Sequence, residues 1–343
     1  MSFDITPTAA QHDLARRTHE FAEKCVRPVA LDYDQRQEFP WPVLEEAAER
    51  GFYSPLFYRD LIGDPTGLSL PMFMEELFWG CAGIGLAVVM PALALSAIGQ
   101  AASPEQMLRW APECFGSPGD LKLAALAISE PEGGSDVRNL RTRAHRDGSE
   151  KDADWIIDGH KMWIGNGGIA DVHVVNAVVD EELGHKGQAL FIVPGGTTGL
   201  ELVRKLDKLG CRASHTAELK FNGVRVPAEN LLGGQEKLEH KLAKAREAIE
   251  GGKHSGSATM GRVCSSAPKV ADRPRMPVFS ASRALASLCS SFSWPPSRLS
   301  PGTRTPLNLS SAVCDARQPS FSNLRTISRP GVPPGTTNSA WPR

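Results

Sequence analysis

The residues of this 343-residue chain that are best placed to do chemistry fall in two short blocks. The first is Ile128-Ser129-Glu130-Pro131-Glu132-Gly133-Gly134-Ser135-Asp136 and the second is Gly159-His160-Lys161-Met162-Trp163-Ile164-Gly165-Asn166-Gly167. Each sits where an apolar, strand-like run gives way to a Gly-rich turn. Hydroxyls, turn N–H groups and one large aromatic, Trp163, can therefore converge on a planar, polar ligand. A plainer reading stands beside this one. Ser129 and Ser135, next to Glu130-Pro131, also suit a turn, and a Trp on a strand also suits a core. Metal chemistry finds no support. Seven cysteines, at 25, 81, 114, 211, 264, 289 and 314, show no Cys-x-x-Cys spacing, and the nine His are scattered without ligand spacing.

The elements that must hold the two blocks change character near Leu121. Before it the pattern is helical. Thr6-Pro7 predicts a helix start, followed by Leu14, Phe21, Cys25, Val26 and Val29 at three- and four-residue steps. Pro40-Trp41-Pro42 opens a helix that Gly51 closes, Ser69 to Trp79 forms another, and Ser103 caps a helix running to Phe115. Between them, Leu77 to Pro104 carries no charged residue. That length raises a membrane span, but Gly80, Gly83, Gly85 and Pro91 interrupt it and no basic cluster flanks it, so a buried helix or helix pair is expected and no membrane span. The glycines of Gly80-Cys81-Ala82-Gly83-Ile84-Gly85 follow a helix and not a strand, which argues against a dinucleotide loop.

After Leu121 the runs are short and extended: 123–129, 137–144, 155–157, 160–164, 172–179, 189–193, 200–203 and 217–226. Asp147-Gly148, Asp158-Gly159, Asn166-Gly167 and Asn222-Gly223 lie between them as turn signals, so a compact β-barrel or sandwich is expected. A charged helical run from Gln235 to Glu250 follows Gly233-Gly234.

The net charge of −1 conceals an asymmetry. From Gly261 to the end there are ten Arg and one Lys against two Asp and no Glu, with 12 of the 26 Pro and 16 Ser. Proline at this density breaks helices, and the composition reads as a disordered basic tail. It contains no compact Lys/Arg cluster, so nucleic acid is not expected as a partner. The abruptness of the shift also fits out-of-frame translation of a G+C-rich gene.

Three segments together carry a resemblance to a known family: Ile128 to Asp136, Lys161 to Gly167, and Lys208-Leu-Gly-Cys-Arg-Ala-Ser-His-Thr216 followed by Phe221 and Val226-Pro227. In this order and spacing they resemble the acyl-CoA dehydrogenases, over roughly residues 3 to 260. The resemblance implies an α+β chain. A helical N-terminal domain (1–120) precedes a β-barrel-like, flavin-binding middle domain (121–234), the start of a C-terminal helical domain (235–260) and the tail (261–343). It implies FAD as cofactor and α,β-dehydrogenation of an acyl-CoA substrate. Leu126, Ala127, Ile128, Ser129 and Ser135 match the first flavin-contacting segment, and Trp163, Ile164 and Gly165 the second. Ser135 also matches a position that touches the acyl-CoA. Ser129 stands where the family usually has Thr, and Gly165 departs from the usual Thr, removing one hydroxyl near flavin N5. Arg212 reads as a flavin-phosphate contact, a subunit contact or a solvated side chain.

The family's third domain supplies the catalytic glutamate and its homo-oligomer contacts, and residues 261–343 match neither. No catalytic base is therefore named. The expectation is a flavin-dependent, acyl-CoA dehydrogenase-like oxidoreductase that is weakly active or inactive, with cytoplasm as the default compartment. The alternatives are a non-catalytic remnant that binds flavin or acyl-CoA, and a flavin monooxygenase of the same fold.

Overall fold

Residues 6–150 and 152–255 are described by a computed structural model, and the expected tail from 261 onward lies outside them. The first helix, α1 (Ala9–Phe21), starts two residues after Thr6-Pro7 because Thr8 and Gln11 cap each other. The Thr8 hydroxyl accepts from the Gln11 N–H at 3.2 Å, and the Gln11 side-chain oxygen accepts from the Thr8 N–H at 2.7 Å. The chain continues through a π-helical turn and a short 3-10 segment at Pro28 into α2 (Ala30–Arg36). Helix α3 (Trp41–Glu49) follows, and Gly51, at φ +78°, ends it as the sequence predicts. Helix α4 (Pro55–Gly63) is not foreseen by the apolar pattern, although its start signal is present: Ser54 accepts from the Phe57 N–H at 3.2 Å and Pro55 occupies the first turn.

Three further helices complete this layer: α5 (Ser69–Gly80), α6 (Ala82–Ala101) and α7 (Pro104–Glu113), the last capped by Ser103 and Gln106 as a reciprocal pair. The uncharged stretch is α6. By length and composition it could cross a membrane, but most of its side chains are buried inside the protein. It packs on α5 and α7 and, on its other side, on the sheet. Its glycines serve that packing. The Phe78 ring lies where a Cβ on Gly85 would go, and the Cys211 backbone would be 3.1 Å from a Cβ on Gly83. The Gly80–Gly85 run is thus a tight joint at which α6 meets both α5 and the loop before β9.

The strands follow: β1 (Gly116–Ser117) and β2 (Asp120–Leu121) form a small ribbon, and β3 (Ala124–Ala127), β4 (Arg143–Arg146), β5 (Trp155–Gly165), β6 (Val172–Val178), β7 (Gln188–Pro194), β8 (Leu200–Lys205) and β9 (Thr216–Val226) form a seven-stranded sheet. Its order is β3-β6-β4-β5-β9-β8, with β7 paired to β6. β6 runs parallel to β3 and β4, and the remaining pairs are antiparallel, so the sheet is mixed and curls on itself. Helical layer followed by curled sheet is the order that the sequence predicts. One apolar cluster runs through both, from Phe21, Leu44 and Ile84 to Val174, Phe191 and Phe221. The long helix α8 (Gly234–Ser255) closes the described chain.

Two local expectations differ. Residues 137–142 are not a strand, because the N–H groups of Arg141 and Thr142 are taken by the Glu130 carboxylate instead of a neighbouring strand. Asp158-Gly159 and Asn222-Gly223 are not turns between strands. They face each other inside β5 and β9 as a bulge, where the Asp158 carboxylate accepts from the Gly223 N–H at 2.7 Å and Gly223 adopts φ +62°.

Candidate functional site

The first block leaves the end of β3. Leu126 is half-buried and Ala127 buried at the strand end, with Ile128 and Ser129 half-buried beyond it. Pro131-Glu132 then form a tight loop closed by two hydrogen bonds between Glu130 and Gly133, at 2.9 and 3.1 Å. Ser135 lies exposed on the far side. Asp136 pairs locally, accepting from the Asn139 side chain at 2.5 Å.

Glu130 points inward. Its carboxylate accepts from the Arg141 N–H at 2.6 Å, the Thr142 N–H at 3.0 Å and the Lys161 ammonium at 2.8 Å. Lys161, on β5, is completely buried and also donates to the Ile128 carbonyl at 2.9 Å. One residue on, the Met162 N–H donates to the Ser129 carbonyl at 2.9 Å. The two blocks, more than twenty residues apart in sequence, are therefore joined by a buried ion pair and two bonds to consecutive carbonyls. Burial pushes the Lys161 ammonium down to about 8 against the opposing pull of Glu130. Burial alone would raise the Glu130 carboxyl, but Lys161 and the N–H donors outweigh it and hold it below the ordinary carboxylate range.

Immediately after this clamp, β5 bulges against β9 between Lys161 and Ile164. Trp163 sits on the bulge at φ +60°, a conformation that a bulky residue adopts at a cost of about 1–3 kcal/mol. The result is an indole 53% exposed, with no ring or hydrogen-bond partner among the described residues. Ile164 turns inward and is buried. Gly165 is half-buried, and the Met90 side chain of α6 fills the space where its own side chain would stand.

The turn that ends the second block is anchored by two histidines. His215 Nε2 lies 2.9 Å from the Gly167 carbonyl, and His173 Nε2 accepts from the Gly168 N–H at 3.0 Å. Burial pushes both imidazoles down to about 4, so both are neutral at physiological pH. Asn166, at φ +59°, adds a bond from its side chain to the Ala124 carbonyl at 3.2 Å. Glu130, Lys161 and His215 lie inside the segments singled out in the sequence but carry no assigned role there, and His173 lies outside them. Each is a polar residue driven into the interior, and nothing in the sequence distinguishes it from a surface one. Arg212, in the loop before β9, is paired with Asp34 of α2 through Nε at 3.1 Å and Nη2 at 2.8 Å, so its guanidinium ties helical layer to sheet.

The eight residues singled out by the sequence thus lie on two adjoining segments of one sheet end. Ser129 and Ser135 have hydroxyls without a hydrogen-bond partner among the described residues, and Trp163 presents an open aromatic surface. That donor set fits a flat ring system with polar edges.

Comparison with known proteins decides the family. The model of the acyl-CoA dehydrogenase N-terminal domain matches residues 8–117, and that of the acyl-CoA dehydrogenase middle domain matches residues 125–224. The chain belongs to the acyl-CoA dehydrogenase family. Among acyl-CoA dehydrogenase relatives, the mitochondrial short-chain specific enzyme of Bos taurus is 37% identical over 226 residues, covering 65% of this chain and 53% of that protein. The cyclohex-1-ene-1-carbonyl-CoA dehydrogenase of Geobacter metallireducens is 36% identical over 217 residues, covering 63% of this chain and 56% of that protein. This chain therefore spans about half the length of the curated relatives it matches. Among solved structures, the butyryl-CoA dehydrogenase of Megasphaera elsdenii superposes with a TM-score of 0.59 at 28% identity, over 76% of this chain and 72% of that one. The glutaryl-CoA dehydrogenase of Mycobacterium smegmatis in complex with FADH2 gives 0.56 at 30% identity, over 71% and 61%.

Proposed function

We propose that the two clamped blocks form one wall of a flavin site, and that the chain is an FAD-binding oxidoreductase of the acyl-CoA dehydrogenase type. FAD, when bound, supplies the two-electron acceptor for α,β-dehydrogenation of an acyl-CoA thioester. The roles of this chain's residues are positional. Ser129 and the N–H groups of its turn donate to the polar edge of the ring system, Ser135 donates where ring and acyl-CoA meet, and Trp163 covers an aromatic face. The segments Leu126–Ile128 and Ile164–Gly165 set the backbone from which these groups project.

The observation that carries the reading is Trp163. A large aromatic held in a left-handed conformation, half exposed and without a ring or hydrogen-bond partner among the described residues, is what a side chain placed for a ligand would show. Turnover has a further requirement, a base within reach of the acyl α-proton. Glu130, the buried carboxylate of the blocks, is already occupied by three donors and is excluded from that role.

With Glu130 excluded and no residue matched to the family's catalytic glutamate, the expectation is flavin binding with weak or no dehydrogenation. Full-length protein mixed with FAD and passed over a gel-filtration column should elute with flavin absorbance. Elution without flavin would overturn the assignment. Adding butyryl-CoA or octanoyl-CoA anaerobically to the loaded protein should leave the flavin band largely intact. Prompt bleaching would instead establish a complete active site.

A further inference from the structure

We propose that Met90, a residue of the helical layer, takes the place of the missing side chain at position 165 and contacts the flavin directly. The inference rests on the flavin reading above. A Cβ at Gly165 would lie 2.5 Å from Met90 Sδ, 3.2 Å from Cγ and 3.7 Å from Cε. Real Cβ atoms essentially never approach another heavy atom within 3.0 Å, so a side chain at 165 fits only if the Met90 thioether moves out of the space it fills. Backbone conformation does not explain the glycine, because Gly165 is not among the residues with positive φ. What fills the space is the thioether.

Met90 is half-buried, at a point of α6 where its neighbours Val88 and Val89 are buried. The next residue is Pro91, inside the helix. The Met90 thioether lies against Gly165, which is two residues along β5 from the open Trp163 indole. At that position a threonine would offer a hydroxyl donor to the ring. A thioether offers a polarizable, weakly accepting surface that favours contact with an aromatic edge and cannot donate. Gly165 and Met90 together thus replace a hydrogen bond to the ring by a sulfur–ring contact, delivered from a different domain.

The test uses full-length protein and has readouts independent of turnover. Thermal melts of the apo-protein form a double-mutant cycle. Gly165→Thr should lower the midpoint by clash and Met90→Ala should lower it by leaving a void, while the double variant should recover much of both losses. Gly165→Ala is the milder probe where Gly165→Thr does not fold. Additive losses would refute the competition for that space.

The flavin contact has its own readouts. Met90→Leu, which keeps the volume and removes the sulfur, should weaken FAD binding by about two- to tenfold, the size of a sulfur–aromatic contact, with little change in the apo melt. FAD should also slow formation of Met90 sulfoxide by hydrogen peroxide, followed by mass spectrometry. Unchanged affinity in Met90→Leu together with unchanged oxidation in saturating FAD would overturn the contact. If wild-type protein retains no FAD at all, it is the flavin site itself that fails.

Discussion

Replacing Lys161 by Met probes the clamp that joins the two blocks. The substitution keeps most of the volume and removes an ammonium that is fully buried and bonded to Glu130 at 2.8 Å and to the Ile128 carbonyl at 2.9 Å. Removing one partner of a buried pair typically costs about 3–5 kcal/mol, because the other charge is stranded. Glu130 keeps the N–H groups of Arg141 and Thr142, which places the expected loss near the lower end, about 3 kcal/mol. For a unit of this size that corresponds to a melting midpoint lowered by roughly 6–12 °C, read by circular dichroism. Glu130→Gln combined with Lys161→Met should lose less than the two single losses summed, since no charge remains buried. The pH profile separates the ion pair from simple packing. The folded lysine sits near 8 and the unfolded one at its ordinary 10.5, so the unfolded chain binds more protons between those values. Wild-type stability should therefore rise with pH across that window, by order 1–3 kcal/mol, and the Lys161→Met variant should lack the rise. A variant that melts within about 2 °C of wild type, with the same pH profile, would refute the clamp.

Two further outcomes follow from neighbouring residues. Trp163→Gly should relieve the left-handed strain, leaving stability unchanged or raised by up to about 1 kcal/mol in urea titration, while sharply reducing FAD retained on gel filtration; a loss of stability would mean that the indole is a packing residue. His173 has a folded value near 4 against 6.5 unfolded, so its contribution is complete above 6.5 and lost as pH falls toward 4. Acid unfolding should therefore begin in that range, and His173→Asn should make it shallower in a fluorescence-monitored pH titration, with His215 keeping its own share.

How much of this is legible in sequence depends on the range over which each feature is determined. The Ser103–Gln106 cap and the stop at Gly51 are encoded within a few residues, and the pattern locates them. Dipeptide turn signals are less specific. Asn222-Gly223 supplies a positive φ that a hairpin or a bulge can use, and the partner strand decides which. The two blocks are visible because glycines and hydroxyls cluster in them. The interactions that hold them are not, since Glu130 and Lys161 lie 31 residues apart and each alone reads as an ordinary surface charge. Met90 is invisible for the same reason: one methionine in a run of Ala, Val and Leu gives no hint that it ends against Gly165.

The close approach of α6 to the sheet has a consequence for how this architecture can be recombined. With Gly83 against the Cys211 backbone, Met90 against Gly165 and Arg212 bonded to Asp34, the border between the two family domains is a shared surface of matched shapes. A chimaera that joins this helical layer to a relative's sheet would inherit a Met90 facing whatever residue that relative carries at the position of Gly165. The exchangeable module is therefore α6 together with the strand ends it touches, and sequence drift at either side of that seam must be matched on the other.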